Sequence, residues 1–557
     1  MALSKIFSWP RVSWPAVQYL CSAILFAPII ALIITAFGDT GGIMGHLVQS
    51  VLGRYFTTTI QLMAGVALVA MVFGVTTAWL VSRYDFPMRR LMEWMLVLPA
   101  AVPAYIIAYT YTDFLEYAGP VQTSIRAIFG FTNARDYYFP EIRSMGGAML
   151  VMGAVLYPYV YIAARTAFRL TSTRLFEAAQ MTGGNIFTSI ALPLARPAIV
   201  AGLALVMMEV VSDFGTVEYF ALDTLTLGIF NVWLGMGNMA AAARIALVAF
   251  ILVLALIALE RWARAGRKLA SQARGQMGIP QLRIRGVRAL ALVATCLIPI
   301  ALGFIIPVVV LLGFILRGVA LASPEGTWVE AIGAQGTGAA IQNTLFIASL
   351  SSGIIMGVAL LIGVIAHYRS GKIGRILAAI SSSGYAVPGT ILAIGVLSFI
   401  YGLDHLIKGL SGNALGVGLT GSIAVLIFAY LVRFQAVGYG MVQAGLARIP
   451  ANIMPASQVM GHGFSTSVIN VIAPLLKPSF LAGLLVAFVD IMKELPMTLL
   501  LSPFNFETLA TITYQYAKDE MLEEAAFPAM LIVLAGLIPV IIINRSLNAP
   551  QHKVSIT

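Results

Sequence analysis

The residues able to do chemistry in this chain are few, and the most conspicuous stand inside apolar stretches. Glu209 and Asp213 fall at the end of one such stretch; Asp490, Lys493 and Glu494 fall at the end of another. Glu209 and Asp490 are 281 positions apart, and so are Asp213 and Glu494. An ionisable group at membrane depth is costly and normally faces protein or water. Two readings stand for these acids: a pathway lining that attracts a cation, or caps and pairs that hold neighbouring helices, with Lys493 satisfying Asp490 or Glu494. The five histidines (46, 367, 405, 462 and 552) share no helical face at ligand spacing, so no fixed metal site is expected. Gly371-Lys372 is followed by Ile373, and no phosphate-loop motif occurs, so the chain has no such route to nucleotide hydrolysis. Two prolines inside apolar runs, Pro103 in AVPA and Pro388 in AVPG, are 285 apart. Each frees a backbone carbonyl and kinks its helix, which serves either a gate or a packing bend. Tyr105, Tyr109 and Tyr111 beside the first of them read as interfacial anchors or as substrate contacts.

The acids are positioned by a duplicated stretch. FEAAQMTGGNIFTSIALPLARPAIVAG (176–202) returns as PASQVMGHGFSTSVINVIAPLLKPSFLAG (455–483). From Pro193 against Pro474 onward the copies align without a gap, pairing Arg196 with Lys477, Pro197 with Pro478 and Gly202 with Gly483. The chain is therefore a tandem duplication. Small residues at Ala178, Ala179 and Gly183, and at Ala456, Ser457 and Gly461, let a short helix lie close against another protein. The alternative is an interfacial helix resting on lipid or on its own bundle. Pro193 and Pro474 suit the first turn of the span that follows, where a missing N–H costs nothing.

The elements that carry these stretches follow from composition. Of 557 residues, 60% are apolar and 10% charged, and the mean hydropathy is +0.92. That composition excludes a soluble globular chain and implies an all-α polytopic membrane protein. Apolar runs of span length recur near 17–37, 60–82, 91–113, 145–167, 197–220 and 237–259, then near 287–316, 343–366, 375–401, 418–440, 476–500 and 523–544. These predict about twelve transmembrane helices in two parallel six-helix halves, since each set is even. Residues 1–260 form the first half, with a docking loop at 174–195. Residues 261–286 form a basic linker, and 287–557 the second half, with a docking loop at 450–476.

A net charge of +11 is no nucleic-acid footprint here, because the basic residues collect in short loops. Arg83, Arg89 and Arg90, Arg165 and Arg169, Arg369 and Lys372, and Arg433 and Arg448 fall on one side, and the acids Asp113, Glu116, Asp136, Glu141 and Asp404 on the other. The bias predicts both termini in the cytoplasm. The linker reads as solvated chain rather than as a contact for anionic lipid. Cys21 and Cys296 sit in apolar runs and read as small hydrophobes.

Glu177-Ala178-Ala179, then Gly183, then Leu192-Pro193, resembles the EAA signature of permease subunits in binding-protein-dependent ABC importers. The first copy is three residues shorter between Gly and Pro than that family's spacing, which the second copy keeps (Gly461 to Pro474). The second copy has Pro455-Ala456-Ser457 where Glu-Ala-Ala would stand, so the two docking sites are expected to differ. SDFGTVEYFALDTLTLGIFNVW in the first half and DIMKELPMTLLLSPFNFETLATITYQYAKDEMLEEAAFPAMLIVLAGLIPV in the second are similar to the fused iron(III)-type permeases. The resemblance implies a multi-pass transport subunit of a bacterial inner membrane, with no ATPase site or cofactor of its own. ATP would be bound by a partner ATPase dimer clasping the loops at Glu177 and Gly461, and substrate handed over by a periplasmic binding protein. Iron is the substrate it implies; thiamine permeases share the fused layout, and a polyamine or phosphonate fits the same class. An ion-coupled secondary transporter, using Glu209 or Asp490, is the reading of a different class. Against it stand docking loops that a self-powered carrier does not need.

Overall fold

The computed structural model describes residues 13–170, 185–265, 281–321, 336–382, 384–411 and 419–548. Among them eleven helices are long and apolar enough to cross a membrane, and a bent pair brings the number to twelve. The all-α polytopic reading therefore holds, and each expected span has its helix. The third span of the first half is the bent one. Arg89–Ala101 and Ala104–Phe129 meet at 95°, because Pro103 takes an extended backbone (φ −61°, ψ 142°) between a 3-10 turn and the next helix. The matching span of the second half breaks at Pro388, so its membrane helix is Gly389–Gly409 and the stretch from 375 belongs to a separate short helix, Lys372–Ser381. The fifth spans end earlier than hydropathy suggested, at Ser212 and Met492, and are followed by short helices Gly215–Tyr219 and Pro496–Leu501.

The duplication is visible in detail. A π-helical turn precedes each fifth span, Phe187–Ala191 and Val468–Ile472, at the same 281-residue separation. Pro193 and Pro474 stand at the start of the α-helix after it, as the missing N–H favours. Gly202 and Gly483 carry helix crossings: a Cβ at Gly202 would lie 3.0 Å from Val160 Cα, and one at Gly483 would lie 2.8 Å from Met356 Sδ. Small residues at such crossings let helix backbones approach where the lipid supplies no hydrophobic drive.

Packing divides the chain into two units that cut across the halves of the sequence. One unit joins Met1–Asp39 and Asn238–Leu247 to Ile341–Thr508. In it the first helix of the chain, Trp14–Ala36, packs on Lys372–Ser381 and Gly389–Ser411. The other unit joins Thr40–Gly237 to Val248–Ala340 and Leu509–Thr557. In it Leu52–Arg83, Met145–Leu170 and Leu192–Ser212 form the core, and Ile306–Leu321 packs on Leu522–Asn548. Each half thus lends its leading span to the unit built on the other half's middle spans. The end of the linker is held in this second unit: Leu282–Arg283 pairs in parallel with Tyr84–Asp85, and Ile284 N–H donates to Asp85 O at 3.0 Å.

Candidate functional site

Of the residues expected to dock a partner, Glu177, Ala178, Ala179 and Gly183 lie outside the described residues. The second docking segment is described, and its two faces differ. Residues Ile453–Val459 form a helix that ends where Gly461 adopts φ +87°, a left-handed conformation open to glycine at no steric cost. Met454 and Phe464 point inward into a core with Met356, Val442, Leu446 and Leu476. Trp14 and the Arg369 guanidinium lie against the Phe464 ring at 5.6 and 4.8 Å. Ser457 is 6% exposed and hydrogen-bonds Ser467 at 2.9 Å, with His462 Nδ1 at 3.4 Å. Ser457 therefore staples the turn from inside. The exposed face is Ala456, Val459, Met460 and Gly461, with Val459 at 88% and Met460 at 77%. Val459 and Met460 are thus two adjacent apolar side chains exposed at the end of the helix, and neither was singled out from the sequence.

The acids after the fifth spans are built into the breaks. Asp213 accepts from Thr216 N at 2.8 Å, Thr216 Oγ1 at 3.0 Å and Val217 N at 3.3 Å, capping Gly215–Tyr219. Its counterpart Glu494 accepts from Met497 N at 3.1 Å and so caps Pro496–Leu501. A carboxylate at a helix start satisfies orphan N–H groups and suits the positive end of the dipole. The capping reading of these two residues is what the geometry favours. Glu494 does more than Asp213: it is buried and paired to Arg433 at 3.3 Å, whereas no cation pairs with Asp213 among the described residues. Asp490 is half-buried within electrostatic reach of Lys493, Arg433 and Glu494, and Glu209 is half-buried as well.

The break at Pro388 converges on this group. A Cβ at Gly389 would lie 2.7 Å from Glu494 Oε1 and would overlap the Arg433 guanidinium. Tyr430 and Thr498 close it with a 2.6 Å hydrogen bond, and Thr498 Oγ1 donates to Glu494 O at 2.7 Å. Pro388, Asp490, Lys493 and Glu494 thus stand together around Arg433. Pro103, Glu209 and Asp213 stand in the other unit, where Gly215–Tyr219 packs on Ala104–Leu115, the helix that Pro103 starts.

One buried charge cluster escaped the sequence reading. Glu93, 5% exposed, receives Arg165 Nη2 at 2.9 Å, Arg169 Nη2 at 2.8 Å and Arg89 Nη1 at 3.0 Å. It ties the start of the bent third span to the end of the fourth, Met145–Leu170, which runs into the first docking loop. The available signals were two i,i+4 pairs, Arg89 with Glu93 and Arg165 with Arg169.

Residues 359–551 match the family described as the binding-protein-dependent transport system inner membrane component. With eleven membrane-crossing helices and a bent pair that makes a twelfth, the chain is a multi-pass membrane protein, and the matched family is that of permease subunits of binding-protein-dependent ABC importers. Over 513 residues it is 22% identical to the Fe(3+)-transport system permease protein FbpB 2 of Haemophilus influenzae, covering 89% of this chain and 90% of that protein. It is 25% identical to the molybdenum transport system permease protein ModB of Escherichia coli over 36% of this chain and 88% of that protein. It is 27% identical to the sulfate transport system permease protein CysW of Escherichia coli over 39% of this chain and 72% of that protein.

Proposed function

We propose that this chain passes ferric iron from a periplasmic binding protein to the cytoplasm, driven by a separate ATPase dimer. The observation that carries the substrate is the shared fused layout: the iron permease aligns over 89% of this chain and 90% of its own length, whereas the molybdenum and sulfate permeases align over 88% and 72% of their own length but only 36% and 39% of this chain. Charge supports a cation over an oxyanion. Asp113, Glu116 and Glu520 gather around Tyr219 with Arg143, and Arg317 is held 3.6 Å from Asp113. Three carboxylates against two guanidiniums would repel molybdate or sulfate.

In this reading both termini are cytoplasmic, the Arg89 to Arg169 cluster lies on the inner side, and the Asp113 to Glu116 end opens to the periplasm. Ala456, Val459 and Met460 are the second half's face for the ATPase, and Glu177 to Gly183 the first half's. The Pro103 and Pro388 breaks are the points at which closure of the ATPase pair bends the third spans. The test is uptake of labelled ferric iron, thiamine and molybdate by cells with and without the chain, at concentrations where high-affinity import dominates. Loss of iron uptake alone is the expected result. Loss of either of the others, or of none, removes the iron assignment.

A further inference from the structure

The first span, Trp14–Ala36, is held from end to end by contacts that fix its register. Where it meets the second docking segment, the Trp14 ring lies 5.6 Å from that of Phe464, which the Arg369 guanidinium also approaches at 4.8 Å. One turn further, Gln18 is fully buried and both ends of its amide are used. Its Nε2 donates to Gly374 O at 2.7 Å, and its Oε1 accepts from Ser370 Oγ. After another turn the Ser22 and Ser381 hydroxyls lie 3.2 Å apart. At mid-span a Cβ on Gly395 would stand 2.7 Å from Pro28 O, so the backbones of the first span and of Gly389–Ser411 cross in contact. At the far end Arg244 Nε donates to Ala36 O at 2.7 Å and Arg244 Nη2 to Gly38 O at 2.8 Å. Ala36 O is a carbonyl of the kind that a helix end leaves orphaned, and the guanidinium ties it to the first turns of Met239–Ala265.

An apolar helix in lipid has no hydrophobic drive toward a particular neighbour, so close crossings and hydrogen bonds set its register. The docking segment belongs to the same body, because Met454 and Phe464 sit in the core that Trp14 borders. Dense cores of this kind transmit strain. We propose that the first span is a rod that carries displacement of the second docking segment across the membrane to the Ala36–Arg244 clamp, with Trp14, Gln18 and Arg244 as its positioning residues. The inference rests on the reading of Ala456, Val459 and Met460 as a face for the ATPase, and adds how that face reaches the periplasmic end. The physical support is a contiguous run of packed and hydrogen-bonded groups along one helix. That helix belongs in sequence to the first half, so movement at the second half's docking site is delivered to the leading span of the other half.

The experiment reconstitutes the full chain with its ATPase and binding protein in proteoliposomes. It measures labelled ferric uptake per ATP hydrolysed, and ATP hydrolysis with and without the binding protein. Trp14→Ala, Gln18→Leu and Arg244→Met are compared with Trp14→Phe, which keeps a ring for Phe464, and with Leu25→Ala, a buried apolar loss on the same helix. Thermal stability of each variant checks its folding. The rod predicts uptake per ATP about tenfold lower in the first three, the equivalent of one buried hydrogen bond lost, and near the parent in Trp14→Phe and Leu25→Ala. A rod broken at one end is not broken further at the other, so Trp14→Ala combined with Arg244→Met should lose no more than either alone. Losses that multiply in the double variant, or parent ratios in all three singles, overturn the rod and leave the docking face standing. Equal loss in Leu25→Ala overturns it too. Unchanged uptake and ATP hydrolysis in Met460→Glu removes the docking face, and the rod with it. If the parent imports no ferric iron, the iron assignment falls, and stimulation of ATP hydrolysis by the binding protein decides the rod on the same variants.

Discussion

Replacing Glu93 by Gln removes one carboxylate and leaves three guanidiniums facing each other at the join of the third and fourth spans. The contributions are unequal. The Arg165 side chain is 3% exposed and pairs at 2.9 Å; Arg169 pairs at 2.8 Å but is 39% exposed, so water screens it. Arg89, 15% exposed, has a second acid in Asp85 at 3.6 Å and a carbonyl, Val81 O, at 3.1 Å. Arg165 therefore decides the magnitude. Breaking a buried pair by removing one partner costs about 3–5 kcal/mol, because a buried charge is left uncompensated. The Gln amide oxygen still accepts one hydrogen bond, which favours the lower end of that range. With roughly 2 °C of Tm per kcal/mol in large domains, the expected fall is on the order of 6–10 °C. The assay is thermal unfolding of the purified chain in detergent, with Glu141→Gln, an exposed acid, as the reference for a neutral loss of charge. Adding Arg165→Met to Glu93→Gln removes the worst orphan and should recover part of the loss. A Tm for Glu93→Gln within a degree of the parent, or a double variant lower than the single, would refute the account of this cluster.

Three further outcomes follow from the breaks and the loops. Gly389→Ala places a methyl 2.7 Å from Glu494 Oε1 and into Arg433, so it should sharply reduce transport, whereas Gly402→Ala, with open space around it, should leave it unchanged; substrate uptake by both variants decides. Asp213→Asn keeps an oxygen for the cap and should retain most transport, while Asp213→Ala should lose about 1 kcal/mol of stability; equal and complete loss of transport in both would instead make the charge itself part of the pathway. Asp136, in the loop before the fourth span, accepts from Asn133 N at 2.9 Å and Thr132 N at 2.7 Å, and these N–H groups hold its carboxyl below the usual range. Its folded pKa being the lower one, the contribution to loop order is complete above the ordinary carboxylate value of about 3.9 and is lost as pH falls through the lowered value. Hydrogen exchange at amides 132 and 133 should therefore stay protected at pH 5 and lose protection only in stronger acid; loss already at pH 6 would contradict it.

The sequence carried the span count and the duplication, because both depend on hydropathy and on repeated residues at fixed separation. It could not show that the first span joins the unit built on Ile341–Thr508, since an apolar helix carries no signal of which apolar neighbour it meets. Asp213 and Glu494 were legible as a matched pair, but whether they face a pathway or cap a helix depends on a helix break of two residues in the first half and three in the second, which hydropathy averages away. Pro103 and Pro388 marked the breaks correctly in position; the 95° bend needed the packing around them. Ser457 was taken for its small size, and its hydroxyl turned out to be the inward staple to Ser467. Glu93 went unnoticed because its three partners come from two helices about 70 residues apart, and only one of them, Arg89, is a near neighbour in sequence.

The most direct measurement is uptake of labelled ferric iron by proteoliposomes holding this chain, with the binding protein on the substrate side and the ATPase with ATP on the other. The account predicts uptake that requires the ATPase, ATP and the binding protein together, and that is indifferent to an imposed proton or sodium gradient. Uptake driven by such a gradient with the ATPase left out would contradict it and make the chain an ion-coupled carrier.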